Sequence, residues 1–293
     1  MTRSALAREF GPRATPRRFS PLRLAFFRSV EHVSASLGGR AFYRWWHLRT
    51  GRFRMREETI AVRGLPREWH GYTIAQLSDF HGGSFVRAGD LRDVVASVNR
   101  IQPDLCVLTG DFVTHRWDES LGVLADCAGL RARDGVFGVF GNHDYRGRLE
   151  GRIADAYSAR GIRMLRNEGV RIRRGDASLA LVGLEDLEEA RAIDPDAARA
   201  GLSDCDVEIL LCHNPSAARA LAHERCAVIL SGHTHGGQID LPLLRRLGPP
   251  HPGARVRLGA TTLVVSRGLG VVGFPLRVGS PAEVVVVRLV RAS

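Results

Sequence analysis

Five short apolar runs, each ending in a polar block of Asp, Asn or His, constrain this chain more than any other feature. Asp79-Phe80-His81 follows the run 73–77, Gly110-Asp111 follows 105–109, and Gly141-Asn142-His143-Asp144 follows 136–140. Cys212-His213-Asn214 follows 207–211, and Gly232-His233-Thr234-His235 follows 227–230. Runs of this length and composition, alternating with amphipathic or turn-rich stretches, read as the strands of an α/β domain. Between the first two, Leu91, Val94, Val95, Val98 and Ile101 recur at helical spacing and stop at Pro103, which predicts a β-α-β unit. Leu121, Leu124, Cys127 and Leu130 predict a second helix, and Pro215 after Asn214 opens a third. Further strands are expected at 179–183, 262–266 and 283–289. The last two follow Gly- and Pro-rich turns and are expected to pair as an antiparallel hairpin, making the sheets of an α/β domain mixed.

In an open α/β sheet the carboxyl ends of the strands converge on one crevice, so these loops bring their side chains together. Five of the eleven histidines lie in the five blocks. One histidine at a strand end is most often structural or simply exposed, but independent strand ends all delivering metal-type ligands point to a built site. Carboxylate, amide and imidazole donors without thiolate suit manganese, iron, zinc or magnesium rather than copper(I) or iron–sulfur clusters. Asp79, His81, Asp111, Asn142, His213, His233 and His235 are too many ligands for one ion. They suit two divalent ions ~3.5–4 Å apart with a bridging carboxylate, which clamps the attacking and leaving oxygens of a phosphoryl displacement. A hydroxide held by such a pair is ionised near neutral pH and able to attack phosphorus.

The net charge of +11 is confined to one end of the chain. Residues 1–56 carry thirteen Arg against Glu9 and Glu31, and residues 57–293 are neutral overall. The first segment is read as a basic, aromatic-containing arm and the second as the catalytic domain. Within the arm, Leu22, Phe26, Val30, Val33 and Leu37 line one face of an expected helix that stops at Gly38-Gly39, and Trp45-Trp46 follow among arginines. Such a segment fits either an anionic membrane surface or the flank of the domain. A nucleic-acid surface on the neutral domain is disfavoured. Five cysteines without a C-x-x-C pair are expected to be buried thiols, and no uncharged apolar run is long enough to span a membrane. The expected location is the cytoplasm, peripheral on the inner membrane face. Export is the alternative, suggested only by Arg17-Arg18.

Taken together, D-x-H, G-D, G-N-H-D, a later His and G-H-T-H resemble the calcineurin-like metallophosphoesterase superfamily, from about Thr73 to Arg288. The resemblance implies a four-layer α-β-β-α sandwich of two mixed sheets, with a dinuclear metal site at the strand C-terminal ends. It also implies that Asp79, His81 and His235 hold one ion, Asn142, His213 and His233 the other, and Asp111 both, with manganese the first choice of metal. His143 would be an acid beside the substrate phosphate. Gly-His-Thr-His-Gly-Gly-Gln, then Ser266-Arg267-Gly268-Leu269-Gly270, Pro275-Leu276-Arg277 and Pro281-x-Glu283 are similar to a bacterial branch of small phosphodiesterases. Some relatives in or near that branch cleave the pyrophosphate of UDP-2,3-diacylglucosamine.

Residues 266–270 read first as a tight turn that needs its glycines. Arg267 and Arg277 are candidate substrate-binding residues, and the Pro- and Arg-rich segment 241–257 fits no pattern. A serine hydrolase lacks its G-x-S-x-G elbow, and a P-loop enzyme lacks any Lys. The expected activity is that of a phosphodiesterase or pyrophosphatase, on a lipid-linked nucleotide diphosphate for example. The alternatives are a protein or small-molecule phosphomonoesterase and a non-catalytic metal-binding scaffold, which the intact ligand set and His143 disfavour.

Overall fold

The computed structural model describes residues 21–146, 148–190, 192–240 and 254–292. The Arg17-Arg18 pair and residues 241–253 of the Pro- and Arg-rich segment lie outside them. In chain order the strands are β1 (Arg54–Val62), β2 (Thr73–Leu77), β3 (Leu105–Thr109), β4 (Val136–Val139), β5 (Ile162–Met164) and β6 (Glu168–Arg174). Then come β7 (Ala177–Gly183), β8 (Val207–Leu211), β9 (Cys226–Ser231), β10 (Arg255–Leu258), β11 (Thr261–Val265) and β12 (Glu283–Arg291). They form two six-stranded sheets, ordered β1-β12-β2-β3-β4-β5 and β10-β11-β9-β8-β7-β6. Both are mixed: β2 to β5 run parallel with β12 antiparallel to β2, and β7, β8, β9 and β11 run parallel between antiparallel β6 and β10.

The period of two along each strand sorts its side chains into separate cores. Ile74, Leu105 and Val107 of the first sheet face Leu181, Ile209 and Leu230 of the second between the sheets. Ala75, Leu77 and Leu108 point outward against helices Arg92–Arg100, Glu119–Cys127 and Glu150–Ser158. On the far side Val182, Leu210 and Ile229 pack under the short helices Pro195–Ala198 and Ala218–Leu221. The result is the expected four-layer order. Each fully buried aliphatic side chain contributes ~1.5–3 kcal/mol, which is why these strands read as unbroken apolar runs. The five cysteines are all buried and unpaired.

The expected hairpin between the last two strands is not formed: β11 and β12 belong to different sheets. Residues 283–287 are buried on both faces, so β12 fits between β1 and β2, where both its edges are also paired. The antiparallel hairpin is instead β10–β11, with Leu258 opposite Thr261. Segment 266–270 thus crosses from one sheet to the other beneath the site. Strand β1 escaped notice because charged Arg54, Arg56, Glu57 and Glu58 interrupt it, as suits an edge strand.

Among the described residues the arm begins with helix Pro21–Ser34 and turns through Gly38, whose φ of 94° suits glycine alone. Tyr43, Leu48 and Phe53 are buried in the helix-side core, and the Tyr43 hydroxyl donates to the Leu269 carbonyl at 2.6 Å. Phe26, Leu37, Trp45 and Trp46 are exposed. Among the described residues no helix is long and apolar enough to cross a membrane.

Candidate metal centre

Asp79 and His81 follow β2, Asp111 follows β3, and Asn142 follows β4; His213 follows β8, and His233 and His235 follow β9. The crevice therefore straddles both sheets at one end. The backbone there is bent sharply. Asp79, His81, Asp111, His233 and His235 all have left-handed φ, from 46° at His81 to 72° at His233. Non-glycine residues pay for this conformation, and its concentration here is a mark of a functional site. Cross-loop bonds hold it: Asp79 N–H donates to Gly110 O at 2.9 Å, His81 N–H to Asp111 O at 3.0 Å, and Gly232 N–H to His213 O at 2.9 Å.

The side chains form two touching groups. In the first, His81 Nε2 lies 2.9 Å from His235 Nε2, and His235 Nε2 lies 3.4 Å from Asp79 Oδ1. Asp79, His81, Asp111 and His235 each present a ligand atom within 4.8 Å of the others. In the second, His233 Nδ1 is 3.2 Å from Asn142 Oδ1. Asp111 links the groups, its Oδ2 lying 3.5 Å from His81 Nε2 and 3.4 Å from His213 Nε2.

The residues fit divalent cations. His213 Nδ1 lies 2.7 Å from the Thr109 carbonyl, which accepts its proton and turns Nε2 toward Asp111 Oδ2, 3.4 Å away. Burial disfavours charge on this ring, but Asp111, with Asp79 and Asp186 beyond it, outweighs burial and holds the His213 pKa well above its ordinary value, so the site calls for positive charge at Nε2. A divalent cation between Nε2 and the carboxylate would supply that charge, as in metal-ligating histidines whose other nitrogen bonds a carbonyl. Burial, opposed by Asp79 and assisted by Arg277, pushes His235 down to about 4, so it stays a neutral donor at physiological pH.

His143 stands beside this set without joining it. Its backbone N–H donates to Asp111 Oδ1 at 2.9 Å, its ring Nδ1 lies 3.0 Å from Thr114 O, and its Nε2 lies 3.1 Å from Arg146 Nη2. Burial, with Asp111 opposing and Arg146 assisting, brings its pKa down to about 3. Of the two candidate substrate-binding residues, Arg267 donates from Nη1 to Glu283 Oε2 at 2.8 Å. Arg277 is buried, bonded through Nε to the Tyr43 hydroxyl at 3.1 Å, with Nη2 3.4 Å from His235 Nδ1. The turn 266–270 forms a floor under Asp79: Leu269 N–H donates to Ser78 O at 3.0 Å and Gly270 N–H to Asp79 O at 2.7 Å. A Cβ on Gly270 would stand 2.0 Å from Phe80 O, so glycine is required.

Two contributors went unassigned in the sequence. Asp144 Oδ2 accepts N–H bonds from Asp111 and Gly141, and its Oδ1 accepts from Phe112 and Val113. Its place in the Gly141–Asp144 block was the available signal. Arg146, two residues further on, brings a guanidinium to the mouth of the crevice; in a chain without Lys the cation there had to be an arginine.

Such a crevice, with one carboxylate shared between two donor groups at the strand ends, defines a dinuclear-type metallohydrolase. The sequence agrees: residues 72–237 match the calcineurin-like phosphoesterases, and the chain belongs to that family. It is a metal-dependent phosphoric ester hydrolase. It is 32% identical over 241 residues to an uncharacterized metallophosphoesterase of Bacillus subtilis, YkuE, covering 80% of this chain and 84% of that one. Phosphodiesterase YaeI of Escherichia coli is 30% identical over 233 residues, 75% of this chain and 82% of that one. A transmembrane protein with metallophosphoesterase domain from Danio rerio is 32% identical over 240 residues, 77% of this chain but 54% of the longer relative.

Proposed function

We propose that the chain is a dinuclear phosphodiesterase or pyrophosphatase working at an anionic membrane surface on an amphiphilic substrate, such as a lipid-linked nucleotide diphosphate. In this reading Asp79, His81 and His235 would hold one ion, Asn142, His213 and His233 would hold the other, and Asp111 would serve both. The donor set suits Mn²⁺ first, with iron, zinc and magnesium as other occupants. When bound, two such ions bring water's pKa toward neutrality and offset charge on the phosphoryl oxygens.

The chain's own residues orient the reaction. Asp111 Oδ1, fixed by the N–H of His143, turns Oδ2 between His81 and His213. Asp79 accepts the N–H of His233 at 2.9 Å and so sets the His233–His235 turn. His143 lies beside the phosphate, where the substrate's negative charge would draw a proton from solvent onto its Nε2, and it then protonates the departing oxygen or stabilises its charge. Arg267, partly exposed and steadied by Glu283, is the substrate-binding candidate at the rim, with Arg277 acting through His235.

One observation carries the membrane reading: the loop 272–277 joins the crevice to an exposed apolar surface. Val272 exchanges hydrogen bonds with Gln238, Gly273 N–H donates to Glu31 of the arm, and Arg277 ends the loop against His235. Phe274 and Leu276 in this loop are 55% and 44% exposed, and the arm that packs on it exposes Phe42, Trp45 and Trp46. A Cβ on Gly39 would stand 3.0 Å from Pro275 Cγ, which marks how closely arm and loop approach. Indole rings favour the membrane interface, and each nearby Arg adds ~1 kcal/mol at an anionic surface.

Sedimentation with phosphatidylglycerol and phosphatidylcholine vesicles tests this on the full-length chain. Deleting residues 1–56 would remove Tyr43, Leu48 and Phe53 from the core, so point changes are preferable. Binding to anionic vesicles should weaken in salt and fall in Trp45→Ser/Trp46→Ser/Phe274→Ser. Equal binding by that variant, or brisk cleavage of soluble diesters with none of any lipidic diphosphate, would leave a generic phosphodiesterase.

A further inference from the structure

A line of side chains runs from the N-terminal helix to His143. Glu31 is 1% exposed, although Phe26 and Val33 on the same helix face solvent. Its Oε1 accepts the Gly273 N–H at 2.9 Å, and its Oε2 lies 2.8 Å from His115 Nε2. His115 Nδ1 is 3.3 Å from Arg146 Nη1, and Arg146 Nη2 is 3.1 Å from His143 Nε2. The Thr114 carbonyl closes the line, accepting from both Arg146 Nη1 and His143 Nδ1.

A guanidinium can only donate, and this fixes every proton along the line. His115 Nδ1 must accept from Arg146, so His115 carries its proton on Nε2 and donates it to Glu31. His143 Nε2 must also accept from Arg146, so its proton sits on Nδ1 and points to Thr114. Each of these named donors meets an acceptor, and the orientation of Arg146 is set from the arm side by a buried carboxylate.

We propose that Arg146 is a further catalytic residue that grips a substrate phosphoryl oxygen, and that Glu31 and His115 are positioning residues that aim it. The inference rests on the reading above that the phosphate sits beside His143. A planar guanidinium matches phosphoryl oxygens in shape and charge. An arriving phosphoryl oxygen competes with His143 Nε2 for the Nη2 donor, so the guanidinium edge that now faces His143 is the one that would grip the substrate. The N-terminal helix is then part of the active site, although nothing in its sequence resembles a catalytic motif.

The test uses the full chain, Mn²⁺-loaded for kinetics and metal-free for ¹⁵N spectra of the histidine rings. Arg146→Gln should lower kcat/KM for bis-p-nitrophenyl phosphate by ~10²–10³-fold, the range for a lost charge-stabilising donor. Glu31→Ala and His115→Phe should each cost ~10–100-fold, as partners that orient a site residue do, with metal content unchanged. His115→Phe keeps the Glu31–Gly273 bond, so it separates aiming from mere docking of the helix. The spectra should show His115 protonated on Nε2 and His143 on Nδ1, with the His143 nitrogens shifting in both Glu31→Ala and His115→Phe. Wild-type kinetics in these two variants, or loss of metal in them, would overturn the proposal. If the wild type turned over no phosphoester, the phosphatase-class reading would fail; an unmoved His143 spectrum would separately refute the positioning claim.

Discussion

The Asp144 carboxylate accepts the backbone N–H of Asp111 at 2.9 Å, so the loop after β4 holds the residue shared between the two donor groups. Both Asp144 oxygens are committed, each to two backbone N–H donors. An amide in its place turns an N–H₂ toward two of those donors. Asp144→Asn should therefore destabilise the fold by ~1–3 kcal/mol for each donor left unpaired. It should also weaken metal binding, because Asp111 loses its fixed backbone. Urea unfolding with metal titration checks this, and a variant equal to wild type in both would show that Asp144 is a bystander.

His143 and His233 should separate cleanly. His143→Ala should keep both metals and lower kcat by ~10²–10⁴-fold, the range for a positioned acid, and lose most on alkyl diesters whose leaving group needs the proton. His233→Ala should lose metal and therefore activity on every substrate alike. Elemental analysis with rates on two diesters of different leaving-group pKa decides it. Metal loss in His143→Ala, or equal impairment on both diesters, would remove His143 from the leaving group.

Glu208 gives a pH prediction away from the site. Burial raises its carboxyl, but hydrogen bonds from His223 and Arg199 outweigh it and hold the pKa at about 2 against an ordinary 4.5. A depressed carboxyl stabilises the fold above its unfolded pKa and loses that contribution as pH falls through the folded one. The stability gap between wild type and Glu208→Gln, measured in chelator, should be full at pH 6 and shrink from about pH 4.5 toward 2, by on the order of 3 kcal/mol. A gap that stays constant over that window would contradict the pairing.

Much of this centre was legible because its residues are chemically conspicuous. Asp79, Asp111 and His213 interrupt apolar runs where a buried strand end tolerates nothing polar without a purpose. The helices after β2 and β3 were legible from their apolar spacing, whereas β1 hid behind alternating charge and β12 gave no sign of lying between β1 and β2. Its burial on both faces comes from long-range pairing that no local pattern reports. Arg146, His115 and Glu31 were hidden for a related reason. Each is an ordinary polar residue in its own segment, and only the docking of the N-terminal helix near Gly273 makes them one line. The clue was Glu31 itself, an acid in an arginine-rich stretch.

Metal content measured alongside hydrolysis of bis-p-nitrophenyl phosphate tests the central claim most directly. The account predicts two divalent ions per chain, turnover abolished by chelation and restored by Mn²⁺. It further predicts that Asp111→Ala fails to hold the pair, because two cations at this spacing repel without the shared carboxylate. Protein shown to carry two metals per chain, yet turning over no phosphoester of any class, would contradict it.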